Sequence, residues 1–230
     1  RTPRFDLDCI YGRGPDDQPY LYDQAPSDNP GTLMLLGNTV SPDPKFAGPD
    51  LPRNAQGVAL LGDKRNDENL IVSQLQSVML RFHNAMVPRV RAASGLEGAD
   101  LFAATQRAVR WHYQWMVVHD FLPRIIGQEG VDAVLKRHTH TAPKPGGGTQ
   151  QVTVEVPHLE FYKVKNHAFI PVEFSVAAYR FGHSMVRPIY RINSKIPRRP
   201  IFSGNFDPTN LDNLNGFRPL PPEWGFEWQF

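Results

Sequence analysis

A chain of 230 residues with 40% hydrophobic side chains can bury one large core, and its composition marks no break between two. The formal net charge of +2 is spread along the sequence, which excludes the basic stripe that nucleic-acid binding demands. The single cysteine, Cys9, excludes a disulfide within the chain, and no run reaches the roughly 18 apolar residues of a membrane-spanning helix. The N-terminus RTPRFDLD lacks the apolar core of a signal peptide, and the abrupt limits at Arg1 and Phe230 are those expected of one piece of a longer polypeptide.

Taken in order, residues 1–22 place Thr2, Asp6 and Asp8 along an extended segment before the turn Gly12-Arg13-Gly14-Pro15. Carboxylates alternating on a loop, with a hydroxyl and carbonyls nearby, are hard oxygen donors suited to calcium; the same pattern also serves as a solvated acidic pair at a turn. Residues 23–56 are punctuated by proline and read as irregular connection, with one short extended run at 33–36. Connections of that length usually serve function or wrap a partner.

From residue 60 the pattern turns helical. Leu75, Val78, Met79, Phe82 and Met86 recur at helical spacing and predict a helix over 66–91, capped by Asp63 or Asn66 and bent at Pro88. Glu68, Ile71, Leu75, Met79 and Phe82 share a face, so the acid is expected along the apolar side. Arg65 and Glu68 either satisfy each other as a buried pair or act on a ligand, the guanidinium facing the reacting atoms and the carboxylate holding an edge. His83 reads as structural.

A third helix is expected over 99–127, stopped by Pro123 and Gly127. His112 and His119 share one of its faces, but no acid at zinc spacing accompanies them and HExxH is absent. Trp111, Tyr113 and Trp115 read as packing. A short helix over 131–137, a flexible loop over 138–148 with solvated His138 and His140, and a β element over 151–164 follow. Beyond Ile192 the chain returns to connection. The expected fold is mainly α with little sheet.

Residues 171–187, PVEFSVAAYRFGHSMVR, read as an interior helix. Pro171 suits its first turn. Phe174, Ala177, Ala178, Phe181 and Met185 take one side, while Val172, Val176, Tyr179 and Val186 surround His183 on the other. Buried there, His183 needs a partner for each ring nitrogen, and Gly182 leaves room for a flat ligand at the backbone. It is either an axial metal ligand or a core histidine satisfied by a carbonyl and a hydroxyl.

GDKRNDE followed by LRFHN, AAYRFGHSMVRP, VVHDFLPRIIG and TPRFDLDCIYG together resemble the haem peroxidases related to mammalian myeloperoxidase and thyroid peroxidase, a family with bacterial members that also includes fatty-acid dioxygenases. The resemblance runs from Thr2 to Asn193. It implies a helical peroxidase domain that binds haem b and reduces hydrogen peroxide through a ferryl intermediate while oxidising a small donor or halide. Arg65 would be the distal catalytic residue, Glu68 an ester link to a haem methyl, His183 the iron ligand, and Arg180 a partner for a haem propionate. Thr2, Arg4, Asp6 and Asp8 would hold calcium. The family's distal histidine, in an Asp-His-Asp type sequence, and the asparagine that holds the ligand histidine have no counterpart here, so residues 1–230 would form part of one domain completed by the rest of the polypeptide and would bind haem poorly alone. No methionine follows the glutamate to make a thioether link. Within the same superfamily, Tyr179 would suit a dioxygenase's radical tyrosine; outside enzymes, the scaffold would serve adhesion or assembly without haem.

Overall fold

A computed structural model describes residues 5–25, 30–38, 43, 46, 48–163, 169–204 and 207–230; Thr2 and Arg4 lie outside them. In chain order the helices are α1 (Asp8–Tyr11), α2 (Leu70–Ser94), α3 (Gly98–Met116), α4 (Leu122–Ile126) and α5 (Gln128–Val134), and the strands are β1 (Leu135–Pro143), β2 (Thr149–Pro157), β3 (Ile189–Tyr190) and β4 (Arg199–Pro200). The fold is mainly α, as expected, with two small antiparallel pairs, β1 with β2 and β3 with β4. Two compact units are present, Asp6–Val109 with Pro171–Phe230 and Arg1–Phe5 with Arg110–Ile170.

In the larger unit α2 starts later than its periodicity predicts. Residues Lys64–Asp67 form a 3₁₀ turn, and extended Asn69 then caps α2, its Oδ1 accepting the Val72 N–H at 3.0 Å. The helix runs past Pro88 and ends at Gly95, whose left-handed backbone lets its N–H reach the Arg91 carbonyl at 2.8 Å.

The face that α2 buries is mixed, with Leu70, Met79, Leu80 and Val87 inside beside polar side chains. Leu75 and Val78 are 52% and 44% exposed, whereas Ser73, Gln74, Gln76, Ser77 and His83 are buried. The reason lies in the irregular segments packed there, whose backbone groups have no helix or sheet to satisfy them. Gln74 Nε2 and Ser77 Oγ both donate to the Pro49 carbonyl at 3.1 Å, and Gln76 Nε2 donates to the Cys9 carbonyl at 3.2 Å. Asn84 acts as a strand partner for Met34, accepting its N–H at 2.7 Å and donating to its carbonyl at 2.9 Å.

His83 completes this set. The Thr32 carbonyl, 2.9 Å from Nε2, can only accept, so Nε2 carries the proton and Nδ1 accepts from the Tyr11 hydroxyl at 3.0 Å. Phe102 of α3 packs against His83, Tyr11 and Tyr22, the two tyrosine contacts being edge-on. Burial pushes the imidazole pKa down to about 4.

The C-terminal stretch, expected as connection, supplies much of the core. Ile192, Leu214, Leu220 and Trp224 cluster on Leu70 at the start of α2. Backbone bonds run from Leu70 N to Leu214 O at 2.9 Å, from Gly216 N to Glu68 O at 2.9 Å and from Phe217 N to Asp67 O at 2.6 Å. Asn193, fully buried, donates to the carbonyls of Glu223 and Gly225 and accepts from the N–H groups of Lys195 and Ile196. Its side chain is thus fully satisfied.

In the smaller unit a π-helical stretch, Val117–Phe121, separates α3 from α4, and Pro123 stands in the first turn of α4 rather than stopping a helix. Residues 138–143 are strand, not loop: His138 faces Val154 and His140 faces Val152 across the hairpin. Three glycines with positive φ, Gly146, Gly147 and Gly148, confine the reversal to a tight turn, so pairing extends further than a flexible loop would allow. Both histidines are exposed.

Two outcomes follow from this packing. The unfolded chain protonates His83 near pH 6.5 and the folded chain only near 4, so its contribution to stability is intact above pH 6.5 and falls by about 1.4 kcal/mol per pH unit below that, roughly 3 kcal/mol in all. Urea midpoints between pH 7 and 5 should show the loss in the wild type and lack it in His83→Gln. Asn193→Ala leaves two buried carbonyls and two N–H groups unpaired and should cost about 2–4 kcal/mol in the same measurement.

Candidate functional site

Asp63 caps the turn that carries Arg65, its Oδ1 accepting the Arg65 N–H at 2.9 Å. The Arg65 side chain folds back onto the same carboxylate, with Nε 3.0 and 3.1 Å from the two oxygens and Nη2 2.5 Å from Oδ2. Arg65 thereby holds the Asp63 carboxyl below the usual carboxylate range, and Asp63 in turn raises the guanidinium. The Arg65 side chain is nevertheless 80% exposed.

Arg65 and Glu68 therefore do not satisfy each other, and Glu68 does not lie on the apolar face of α2. It precedes the helix and is exposed. At 3.0 residues per 3₁₀ turn, positions three apart eclipse, so Arg65 and Glu68 leave the same side of the turn while Asp67, between them, points inward and is buried.

The histidine segment is helical, but it is not the interior helix expected. It winds as a π-helix over Glu173–Ala178 and as a 3₁₀ helix over Tyr179–Met185. Val172, Val176 and Phe181 are 70%, 66% and 65% exposed, and Arg180 and His183 are exposed too. Apolar residues on both sides are what an interior helix requires; burial also requires a covering surface, which the described residues do not supply. Arg65 and His183 consequently stand at the surface, not on two interior helices. A side chain at Gly182 would meet nothing within 4 Å. Among the described residues, the side chains of Glu68, Arg180 and His183 take no hydrogen bond or ion pair.

Of the proposed calcium ligands, Asp6 is half-buried and its Oδ1 accepts the Asp8 N–H at 3.3 Å, while Asp8 is exposed. No group of three or more acids, histidines or cysteines suited to a metal occurs among the described residues. His119 faces Glu155 at 3.5 Å and stacks beside Trp115, consistent with a structural part.

Sequence reasoning named Asp63 only as a helix cap and missed Arg53 and Asp67. Asp63 had a local signal, an acid two positions before the arginine at a helix start. Arg53 and Asp67, which pair with Nη1–Oδ2 and Nη2–Oδ1 distances of 2.7 and 2.8 Å, had none, because fourteen residues of irregular chain separate them.

The family model described as animal haem peroxidase matches residues 1–220. The chain is similar to the dual oxidase of Drosophila melanogaster, 26% identical over 170 residues that make up 73% of this chain and 9% of that protein. It is likewise similar to human thyroid peroxidase, 26% identical over 181 residues covering 75% and 17% of the two chains, and to a human peroxidasin homolog, 24% identical over 168 residues covering 70% and 10%. It spans only 9–17% of the length of these relatives. Peroxidase A from Dictyostelium discoideum shares the fold, with a TM-score of 0.55 and 19% identity over 93% of this chain and 36% of that one.

Removing the cap separates the two parts that Asp63 plays. Asp63→Ala should cost about 1 kcal/mol through the lost N-cap, whereas Arg65→Ala should cost less than about 1 kcal/mol because its ion pair is solvated; thermal unfolding of both variants and of the double variant checks this.

Proposed function

The chain belongs to the animal haem peroxidase family, and from that premise we propose that its residues serve a haem-dependent peroxidase, which reduces hydrogen peroxide and oxidises a small donor or halide. The observation that supports this reading is the state of three side chains: Glu68, Arg180 and His183 are exposed and unpartnered among the described residues. An unpartnered imidazole beside an open glycine, on a helix with apolar flanks, fits the chemistry of a flat apolar macrocycle with a metal at its centre.

Haem, when bound, supplies the iron that takes up peroxide and the redox range that donor oxidation needs. His183 offers a ring nitrogen to that iron, and whatever accepts its other N–H tunes its basicity. Arg180 pairs with a propionate. Glu68 anchors the macrocycle edge, as a carboxylate or through an ester. Arg65 would supply positive charge beside the site where peroxide binds, a task suited to a fork that stays charged at every working pH. Asp63 moderates that charge and limits where the fork points. The resemblance assigns the proton shuttle to a histidine in an Asp-His-Asp type sequence, which these 230 residues do not contain. Asp6 and Asp8, with Thr2 and Arg4, are proposed to hold calcium. The residues belong to one catalytic domain in this reading.

Haem reconstitution tests the proposal. The intact protein should show a Soret band that shifts or disappears in His183→Ala, and should consume peroxide in the presence of a donor. Oxygen uptake with linoleate, without peroxide consumption, would instead identify a dioxygenase, and a protein that takes up no haem would overturn the reading.

A further inference from the structure

Arg53 lies outside every motif the sequence singles out, yet its guanidinium is fully used. Its Nε donates to Asp50 Oδ2 at 2.8 Å. Its Nη1 donates to Asp67 Oδ2 at 2.7 Å and the Gly57 carbonyl at 3.0 Å, and its Nη2 to Asp67 Oδ1 at 2.8 Å and Asp50 Oδ1 at 3.2 Å. All five N–H groups are engaged. The side chains of Arg53, Asp50 and Asp67 are only 7%, 8% and 4% exposed.

The cluster reaches beyond itself through backbone. Asp50 also accepts the N–H groups of Leu51 at 2.7 Å and Leu220 at 3.0 Å. The Asp67 carbonyl accepts from Phe217 at 2.6 Å, and the next carbonyl, of Glu68, accepts from Gly216 at 2.9 Å. Gly216 is obligatory there, since a Cβ would fall 1.7 Å from the Asp67 oxygen. Asp67 is therefore gripped from the side chain by Arg53 and from the main chain by Phe217, with Gly216 holding the next carbonyl.

Asp67 sits between Arg65 and Glu68, and the two flanking side chains leave the turn together because they are three apart in a 3₁₀ winding. The rotation of Asp67 fixes the backbone from which both leave, while Asp63 holds the Arg65 fork itself. Extended Asn69 breaks the helical backbone between the turn and α2, and the Asn66 Nδ2 bond to Gln76 Oε1 at 2.7 Å is a second, side-chain tie on the turn. We infer that Arg53 and Asp67 are positioning residues that aim Arg65 and Glu68 by pinning the turn between them. The inference rests on the reading in which Arg65 and Glu68 face haem. Lysine cannot replace Arg53: it has three donors and no planar fork to match the Asp67 carboxylate.

The test compares Asp67→Asn and Arg53→Lys with His83→Gln, which weakens the fold without touching the turn, in the intact protein. Two quantities are read: amide hydrogen exchange at Gly216 and Phe217 without haem, and fluoride affinity after haem loading, which reports a guanidinium near a bound anion. Asp67→Asn and Arg53→Lys should speed exchange at both amides and weaken fluoride about tenfold, towards the value for Arg65→Gln. His83→Gln, at a comparable loss of thermal midpoint, should change neither. Fluoride affinity within about twofold of wild type in Asp67→Asn, or equal changes in His83→Gln, would overturn the inference. Failure of the wild type to take up haem counts against the functional reading alone; exchange at Gly216 and Phe217 then decides, and unchanged protection in Asp67→Asn would sink the positioning role.

Discussion

Arg53 holds three irregular pieces of chain together at one buried point. Asp50 belongs to the proline-rich connection, Asp67 to the turn before α2, and Leu220, bound through Asp50, to the C-terminal stretch. One cation serves two carboxylates, so burial holds the Asp67 carboxyl above its ordinary value even against the Arg53 fork, while the two acids together outweigh burial at Arg53 and raise its guanidinium. Such a cluster stabilises little relative to a well-packed apolar substitute, but removing one member strands the others. Its value lies in register: segments without helix or sheet have few other ways to settle at one position.

The same constraint explains why the buried face of α2 is half polar. A helix packed on other helices would bury Leu75 and Val78, because helices satisfy their own backbone. This one is packed on loops, and loops bring unsatisfied carbonyls and N–H groups with them. Gln74, Gln76, Ser77, His83 and Asn84 meet those groups, so polarity faces inward by need. The motif LRFHN is therefore structural at its last two residues, which clamp the backbone at Thr32 and Met34.

His83 takes the structural part its sequence suggested, and of the two parts open to His183 the core one is not taken. A core histidine satisfied by a carbonyl and a hydroxyl is what His183 would be on its own helix in the bland case; His83 is that residue, on Thr32 and Tyr11. His183 is exposed with neither nitrogen bonded among the described residues. The structure thus leaves His183 exposed and holds His83 inside.

Element type was legible along most of the chain because it depends on neighbours a few residues away. Helical spacing marked α2, α3 and the histidine segment, and alternation marked β2. Motif order was legible for the same reason, which is how Arg65, Glu68, Arg180 and His183 were found together. Burial was not. Whether an apolar face is inside depends on what covers it, and the partners of Asp67, Asp50 and Asn193 come from chain up to 170 residues away. Spacing also could not tell an α-helical register at Glu68 from the 3₁₀ turn that sends it out beside Arg65. Those outcomes belong to the tertiary structure, because only there do distant backbone groups compete for the same few donors and acceptors.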